Sequence, residues 1–317
     1  MASRAACRHA MEFTLPLVGL QVSVFVILLG FLVGVFSSMF GVGGGFIAVP
    51  ALTLVFGIEP AIAAGSSLSQ MVFTTLSGVI GHVRHRNVEW KVALVFVAGA
   101  LVGVELGAGW IDALTAGAKP VSIFGHPTEA AMFYQLLGLT SIFLCLGGFI
   151  LYETLFIPRT PAGEPGRRFE RPLRIVKIRP MISSERGEYA PFSGMLLALV
   201  GAMGGVVAGF LGIGGGFIAV PMFLYFVGLS TRRSVGTSLF VVFCIALWGM
   251  YRHEAAGRGN VDFGIVASVV IGSVGGAFLG AWLTSILKAV SIRKYFAVAI
   301  LVTCAAVWIL FFCKLLL

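Results

Sequence analysis

Eight apolar runs dominate this chain, at residues 17–40, 61–83, 92–111, 130–156, 192–211, 234–251, 263–287 and 295–317. Each is near the ~20 residues that a helix needs to cross hydrocarbon. No water pairs the backbone inside a bilayer, so runs of this kind close their hydrogen bonds as helices. Composition agrees: 58% of the 317 residues are hydrophobic and 11% charged, with a mean hydropathy of +1.01, whereas soluble domains carry about a quarter charged residues. The expected fold class is an all-α polytopic membrane protein. Arg4 and Arg8 precede a first run that is long and lacks a small-residue cleavage site, which reads as a retained helix rather than a removed signal peptide.

The net charge of +9 points away from nucleic acid once its distribution is considered, because eight of the 22 basic residues fall in one polar stretch, 157–190. With five prolines it reads as a solvated connector, and the positive-inside rule places it in the cytoplasm. The five cysteines are scattered without a CxxC spacing, and His9, His82, His85, His126 and His253 form no HExxH pattern. No metal and no cofactor is expected. An intramembrane enzyme would need a nucleophile with a motif-level partner, which the sequence does not offer.

One decapeptide occurs twice inside these runs, GVGGGFIAVP at 41–50 and GIGGGFIAVP at 212–221, with nine of ten residues identical. A shift of 171 residues also aligns Gly30 with Gly201, Gly65 with Gly236, Ser67 with Ser238 and His82 with His253, and a shift of 173 aligns Asn87 with Asn260 and Gly99 with Gly272. The expected organisation is two homologous repeats, 1–156 and 191–317, joined by the linker 157–190. Duplication in a helical membrane protein is the mark of a transporter with its site at the repeat interface. Gly99, Gly103 and Gly107, and again Gly272, Gly276 and Gly280, recur every four residues and suit close helix packing. The segments 46–58 and 217–229 would rise only about 20 Å as helix and carry an internal proline, so they are expected as half-helices. Eight long spans plus two short ones make ten helical segments. Charge counting ties between parallel and inverted repeats, with 16 of the 22 basic residues cytoplasmic either way. Inversion is favoured because it brings both glycine loops to one centre from opposite faces.

Glycines weaken a helix and expose backbone N–H groups at the start of the next one. Gly43, Gly44 and Gly45, with Gly214, Gly215 and Gly216, therefore form a place for an anion. A nucleotide loop is excluded, since Phe46 or Phe217 stands at the sixth position of the GxGxxG pattern and no Gly-Lys-Ser/Thr follows.

The paired G-x-G-G-G-F-x-x-V-P is followed by Gly-Ser-Ser-Leu at 65–68 or Gly-Thr-Ser-Leu at 236–239, and then by an Asn-Val-Glu/Asp-aromatic turn at 87–90 and 260–263. In these motifs the chain resembles the sulfite exporter TauE/SafE family, over nearly its whole length except the linker and termini. The resemblance implies a multi-pass permease of the bacterial inner membrane moving small sulfur-containing anions such as sulfite or organosulfonates, coupled to protons. It adds the lipid bilayer and the anion as partners, and a homodimer stays open. An anion channel is the alternative, separated only by coupling measurements.

Ser66, Ser67, Thr237 and Ser238 fit such a site, as hydroxyls donate to oxyanion oxygens without burying a cation. Membrane hydroxyls equally bond their own helix or a neighbour. Gln70 has Val241 as its repeat counterpart, which opens an asymmetric substrate contact, and stands with Ser69 where some relatives carry a basic residue. For proton coupling the candidates are Glu105, an ionisable residue at membrane depth whose counterpart is Phe278, and the matched His82 and His253 beside Arg84 and Arg252. Interfacial positions are the competing reading for all three.

Overall fold

The computed structural model describes residues 14–17, 20–58, 60–115, 121–123, 126–128, 130–156, 179–183, 191–211, 214–255 and 261–316. Ten α-helices carry the described fold: α1 (Val24–Phe40), α2 (Gly45–Pro50), α3 (Pro60–Arg84), α4 (Trp90–Thr115), α5 (Ala130–Phe156), α6 (Gly194–Leu211), α7 (Gly216–Pro221), α8 (Thr231–Ala255), α9 (Phe263–Ile286) and α10 (Ala289–Leu316). The linker expected at 157–190 lies mostly outside the described residues.

Six helices are long and apolar enough to cross a membrane, over Trp90–Trp110, Leu136–Phe156, Gly194–Leu211, Thr231–Arg252, Phe263–Ile286 and Ala289–Phe312. This corrects the expectation of eight long spans. The first run begins not at 17 but at Val24, because residues 20–23 pair antiparallel with 14–17 in a hairpin where Pro16 cannot continue a helix. The second run forms the 25-residue α3, but Ser66, Ser67, Ser69, Gln70, Thr74, Thr75 and Ser77 lower its hydropathy. All seven are buried. α3 turns this polar face inward and an apolar one, Phe73, Leu76, Ile80 and Val83, outward.

Glycine stripes set how the helices pair. A Cβ on Gly99, Gly103 or Gly107 of α4 would run into the carbonyl of Ala198, Ala202 or Val206 of α6, and one on Gly272, Gly276 or Gly280 of α9 into Ile27, Phe31 or Val35 of α1. Each stripe lets two backbones touch. Because the contacted numbers rise together, α4 and α6 are parallel, as are α1 and α9. Asp262 and Ser273 of the α9 region meet Ser66 and Thr74, so α3 also runs with α9. α8 opposes α3, with Gly249 against Leu68 and Gly78 against Leu239, and runs with α4, where Arg233 meets Glu89 and Trp248 meets Glu105. Thus α1, α3 and α9 point one way and α4, α6 and α8 the other.

Each short helix continues past its proline as a π-helix, Ala51–Val55 and Met222–Val227. Proline lacks the N–H that the preceding turn would use, and the ladder re-registers with Phe56 N bonding Ala51 O and Gly228 N bonding Phe223 O. The two short helices start near one another and leave in opposite directions. Leu54 ends among Leu136, Val307 and Phe311, whereas Tyr225 ends against Glu153. A single ring holds their starts, since Phe143 of α5 packs edge-on against Phe46 at 5.9 Å and Phe217 at 5.5 Å between centroids.

Arginines gather at the end of the molecule that holds the starts of α4, α8 and α10. Arg232 donates to Leu287 O at 2.9 Å, Arg233 pairs with Glu89 at 3.2 Å, and Arg293 pairs with Glu153 at 3.6 Å and donates to Thr231 Oγ1 at 2.8 Å. This basic end carries the turn through Arg84 and Arg86 as well, between α3 and α4.

Candidate functional site

The two glycine loops meet at the middle of the helix bundle. Gly43 and Gly44 have φ of 89° and 82°, Gly214 and Gly215 of 83° and 68°, all in the left-handed region that side chains rarely enter. Gly44 and Gly215 thereby turn the chain into α2 and α7, whose first residues are Gly45 and Gly216. Space forbids side chains as well. A Cβ on either Gly43 or Gly214 would meet both Met71 of α3 and Val242 of α8, residues that are themselves 171 apart, and a Cβ on Gly216 would lie 2.6 Å from Gly41 O. Loop touches loop, with the fully buried Met71 and Val242 as the shared floor.

Ser238 ties this junction together. Its hydroxyl donates to Gly41 O at 2.7 Å and to Gly216 O at 3.3 Å, one carbonyl from each loop. The counterpart Ser67 is equally buried, yet its Oγ makes no hydrogen bond. Gln70 lies on the same face of α3; its Oε1 accepts from Thr74 Oγ1 at 2.8 Å while its Nε2 is unpaired. The structure therefore brings Gly43, Gly44, Gly45, Gly214, Gly215, Gly216 and Ser238 to one junction, with Ser67 and Gln70 within a turn of Met71 on α3.

Ser66 and Thr237 are used differently. Ser66 Oγ accepts from Asp262 N at 2.9 Å, and Thr237 Oγ1 accepts from Glu89 N at 3.0 Å. Each hydroxyl pins the chain entering a helix of the other half, α9 or α4. Because α3 and α8 are antiparallel, the two pins sit toward opposite ends of the bundle. The Asn-Val-Glu/Asp-aromatic turn supplies the matching amide in both places, Glu89 N and Asp262 N.

Of the coupling candidates, none is at the glycine junction. Glu105 lies on the outer side of α4, 42% exposed in its side chain, where Arg252 approaches to 3.4 Å and Trp248 Nε1 donates to it. The exposed Trp110 and Tyr251 share that level, the belt where aromatic rings meet headgroups. His82 is fully buried near the basic end, donates from Nε2 to Ser38 O at 3.0 Å and faces Asn87 Nδ2 with Nδ1 at 3.5 Å. His253 belongs to α8, but its side chain is outside the described residues.

Sequence reading missed Ser37 and Glu153. Ser37 of α1 is fully buried, its Oγ is unpaired, and its Cβ would lie 3.5 Å from a Cβ on Gly44. It reads in sequence as one more small residue of an apolar helix, with nothing local to mark it. Glu153 is 1% exposed and joins Arg293 and Tyr225 OH, which donates to it at 3.2 Å. Its partners stand far away in sequence, so only the fold reveals a buried charge that is compensated rather than free. Beside the Arg233–Glu89 pair, a cavity of about 310 Å³ opens at the basic end, lined by Arg86, Lys91 and Trp90 among others.

No group of metal-ligating side chains occurs among the described residues. No solved structure matches the chain. It is 27% identical over 270 residues to "Probable membrane transporter protein YdhB" of Bacillus subtilis (strain 168), covering 85% of this chain and 93% of that one. It is 26% identical over 264 residues to a "Probable membrane transporter protein" of Xylella fastidiosa (strain Temecula1), covering 82% and 84%. A third relative, "Probable membrane transporter protein MJ0441" of Methanocaldococcus jannaschii, is 25% identical over 236 residues, covering 73% and 72%. The family described as "Sulfite exporter TauE/SafE" matches residues 26–307, and with that span, both glycine loops included, the chain belongs to this family of multi-pass membrane transporters.

Proposed function

We propose that the protein is a secondary transporter for small sulfur-containing oxyanions, sulfite or organosulfonates, held at the glycine junction and moved together with a proton. One observation carries the reading: two left-handed glycine turns converge on the Met71–Val242 floor, with unpaired buried donors at Ser67 and Gln70 beside them. Buried donors without partners are costly unless a ligand takes them up, and an oxyanion accepts from several at once. The family description supplies the sulfur chemistry. We place the protein in the cell membrane with the basic end in the cytoplasm.

The two halves are read as inverted repeats that alternate around the junction. Opposed directions of α3 and α8, and short helices leaving the centre toward opposite ends, support this arrangement. Single cysteines at Asn87 and Asn260 should react with impermeant reagents from opposite faces; labelling of both from one face makes the repeats parallel.

Equilibrium binding to the purified protein tests the substrate class. Sulfite, thiosulfate, sulfate, sulfoacetate and taurine are compared with simple carboxylates, and sulfite or a sulfonate is expected to bind most tightly. Equal binding of the carboxylate controls sinks the assignment. In proteoliposomes at one pH on both faces, uphill movement of labelled sulfite driven by an opposing gradient of unlabelled sulfite separates an alternating transporter from a channel, which only dissipates each gradient.

A further inference from the structure

Around the loop Gly43–Gly45 three side-chain donors are at most 1% exposed and make no hydrogen bond: Ser37 Oγ, Ser67 Oγ and Gln70 Nε2. Their counterparts 171 residues later are Ala208, Ser238 and Val241. Ala208 and Val241 have no donor, and Ser238 gives its hydrogen bonds to the two loops. The unspent donors thus lie on one side of the junction only. All three are neutral.

The surroundings are equally free of charge. From Val24 to Ile58, from Ala61 to Gly81, from Gly194 to Leu224 and from Phe263 to Ile286 the sequence contains no Asp, Glu, Lys, Arg, His, Tyr or Cys. In α8 the stretch Ser234–Met250 holds Cys244 alone, which packs with the apolar cluster of α4. On the remaining elements Cys145 stands mid-way along α5 and the buried Cys304 of α10 packs in the apolar cluster with Phe46, Phe143 and Phe217, and the charged or hydrogen-bonded titratable groups stand toward the ends or on the outer flank. They are His82 on Ser38 O, Arg84, Arg232 on Leu287 O, Arg233 with Glu89, Tyr225 and Glu153 with Arg293, and Arg252 with Glu105. His253 and Glu254 close α8, their side chains outside the described residues.

A neutral site discriminates by charge. The solvation cost of a buried ion grows with the square of its charge, so a dianion pays about four times what a monoanion does with no cation to offset it. Hydroxyls and an amide can also accept nothing like a full proton charge, so no group here is suited to carry one across. We propose that this one-sided cluster binds the singly charged form of a sulfur oxyanion, hydrogen sulfite or a sulfonate, and that the proton moved with sulfite travels on the anion itself. The O–H or S–H bond of hydrogen sulfite stays intact from binding to release, and no side chain gains or loses a proton. The inference rests on the sulfur-oxyanion reading above.

Initial rates of sulfite and methanesulfonate transport in proteoliposomes, from mildly acidic to mildly alkaline pH, test it. Methanesulfonate is a monoanion throughout, whereas sulfite loses its second proton near neutrality. Above that point the sulfite rate should fall roughly tenfold per pH unit while methanesulfonate changes by less than about twofold. A parallel fall of both rates means that a protein group titrates, and a flat sulfite rate means that the dianion is carried; either overturns the proposal. The double variant Ser37→Ala, Gln70→Val writes the second half's residues into the first. It should weaken methanesulfonate binding by about tenfold or more without lowering thermal stability. Unchanged binding by that folded variant removes the cluster from the site. If neither anion moves with the wild-type protein, the sulfur reading fails first; if both move with one shared pH profile, only the substrate-borne proton fails.

Discussion

Along α3, Gln70, Thr74 and His82 face α1 and α9, where Thr74 Oγ1 shares a 2.6 Å hydrogen bond with Ser273 Oγ and His82 bonds Ser38 O. At the matching positions of the other seam, along α8, stand Val241 and Ile245, Gly209 for Ser38 and Ala100 for Ser273. A glycine stripe brings two helix backbones together beside each seam. What the two seams share is therefore what the fold needs: the glycine stripes, the left-handed turns, and the pins Ser66 and Thr237. What they do not share is released from that duty. A buried amide and hydroxyl chain costs stability unless fully paired, and only the seam along α3 bears it.

The largest expected effect strikes a shared feature. Gly44→Val or Gly215→Val must force a β-branched residue into φ of 82° or 68° and drive its side chain into Val33 or Ala208. Either substitution should bring transport to background while the protein still inserts. Because both loops build one junction, the two losses should be alike. Near-normal transport by one of them, at wild-type expression, would show that its loop only supports the other.

A middle-sized effect sharpens the contrast between seams. Val241→Gln copies the first half's amide into the second, where Ile245 replaces the Thr74 that pairs it. Leaving a buried amide unpaired should cost about 1–3 kcal/mol, read as a lower midpoint of thermal unfolding in detergent. Adding Ile245→Thr and Ala100→Ser rebuilds the partner chain and should recover part of it. An unchanged midpoint for Val241→Gln alone would mean that this seam already admits water, and the apolar reading of the second half would go.

Legibility in the sequence followed the range of each interaction. Helix breaks are local chemistry, so Gly41–Pro50 and Gly212–Pro221 announced two short helices, whereas the π turns that follow their prolines were not foreseen. Close-packed helix pairs were equally visible as glycines at every fourth position. α3 was harder, because its hydroxyls make it less apolar than its length suggests. The pins were misleading: Ser66 and Thr237 have a partner amide 196 and 148 residues away, and a hydroxyl in an apolar run looks the same whether it meets a ligand or a backbone. Glu153 was hidden for the same reason, and Glu105 stood out only because sequence shows depth along a helix but not which side faces the core.

The smallest expected effect concerns that last residue. Glu105 and its counterpart Phe278 occupy matching positions on α4 and α9, and both reach the surface, the Glu105 side chain 42% and Phe278 41% exposed. A charge on one half and a ring on the other suit the outer surface, where the first can reach headgroups through Arg252 and the second can lie in lipid. Exposed ion pairs contribute about 0–1 kcal/mol, so Glu105→Gln should shift the unfolding midpoint slightly. The amide keeps an acceptor for Trp248 Nε1, which limits the loss further. Proton-linked sulfite flux should stay within about twofold of wild type, because Glu105 turns to the outer side of α4 toward Arg252 and Trp248 and not toward the junction. A sharp loss of flux with intact binding would instead make Glu105 the group that takes up the proton, move coupling from the anion to the flank of α4, and turn the difference between Glu105 and Phe278 from a surface matter into the functional asymmetry of the two halves.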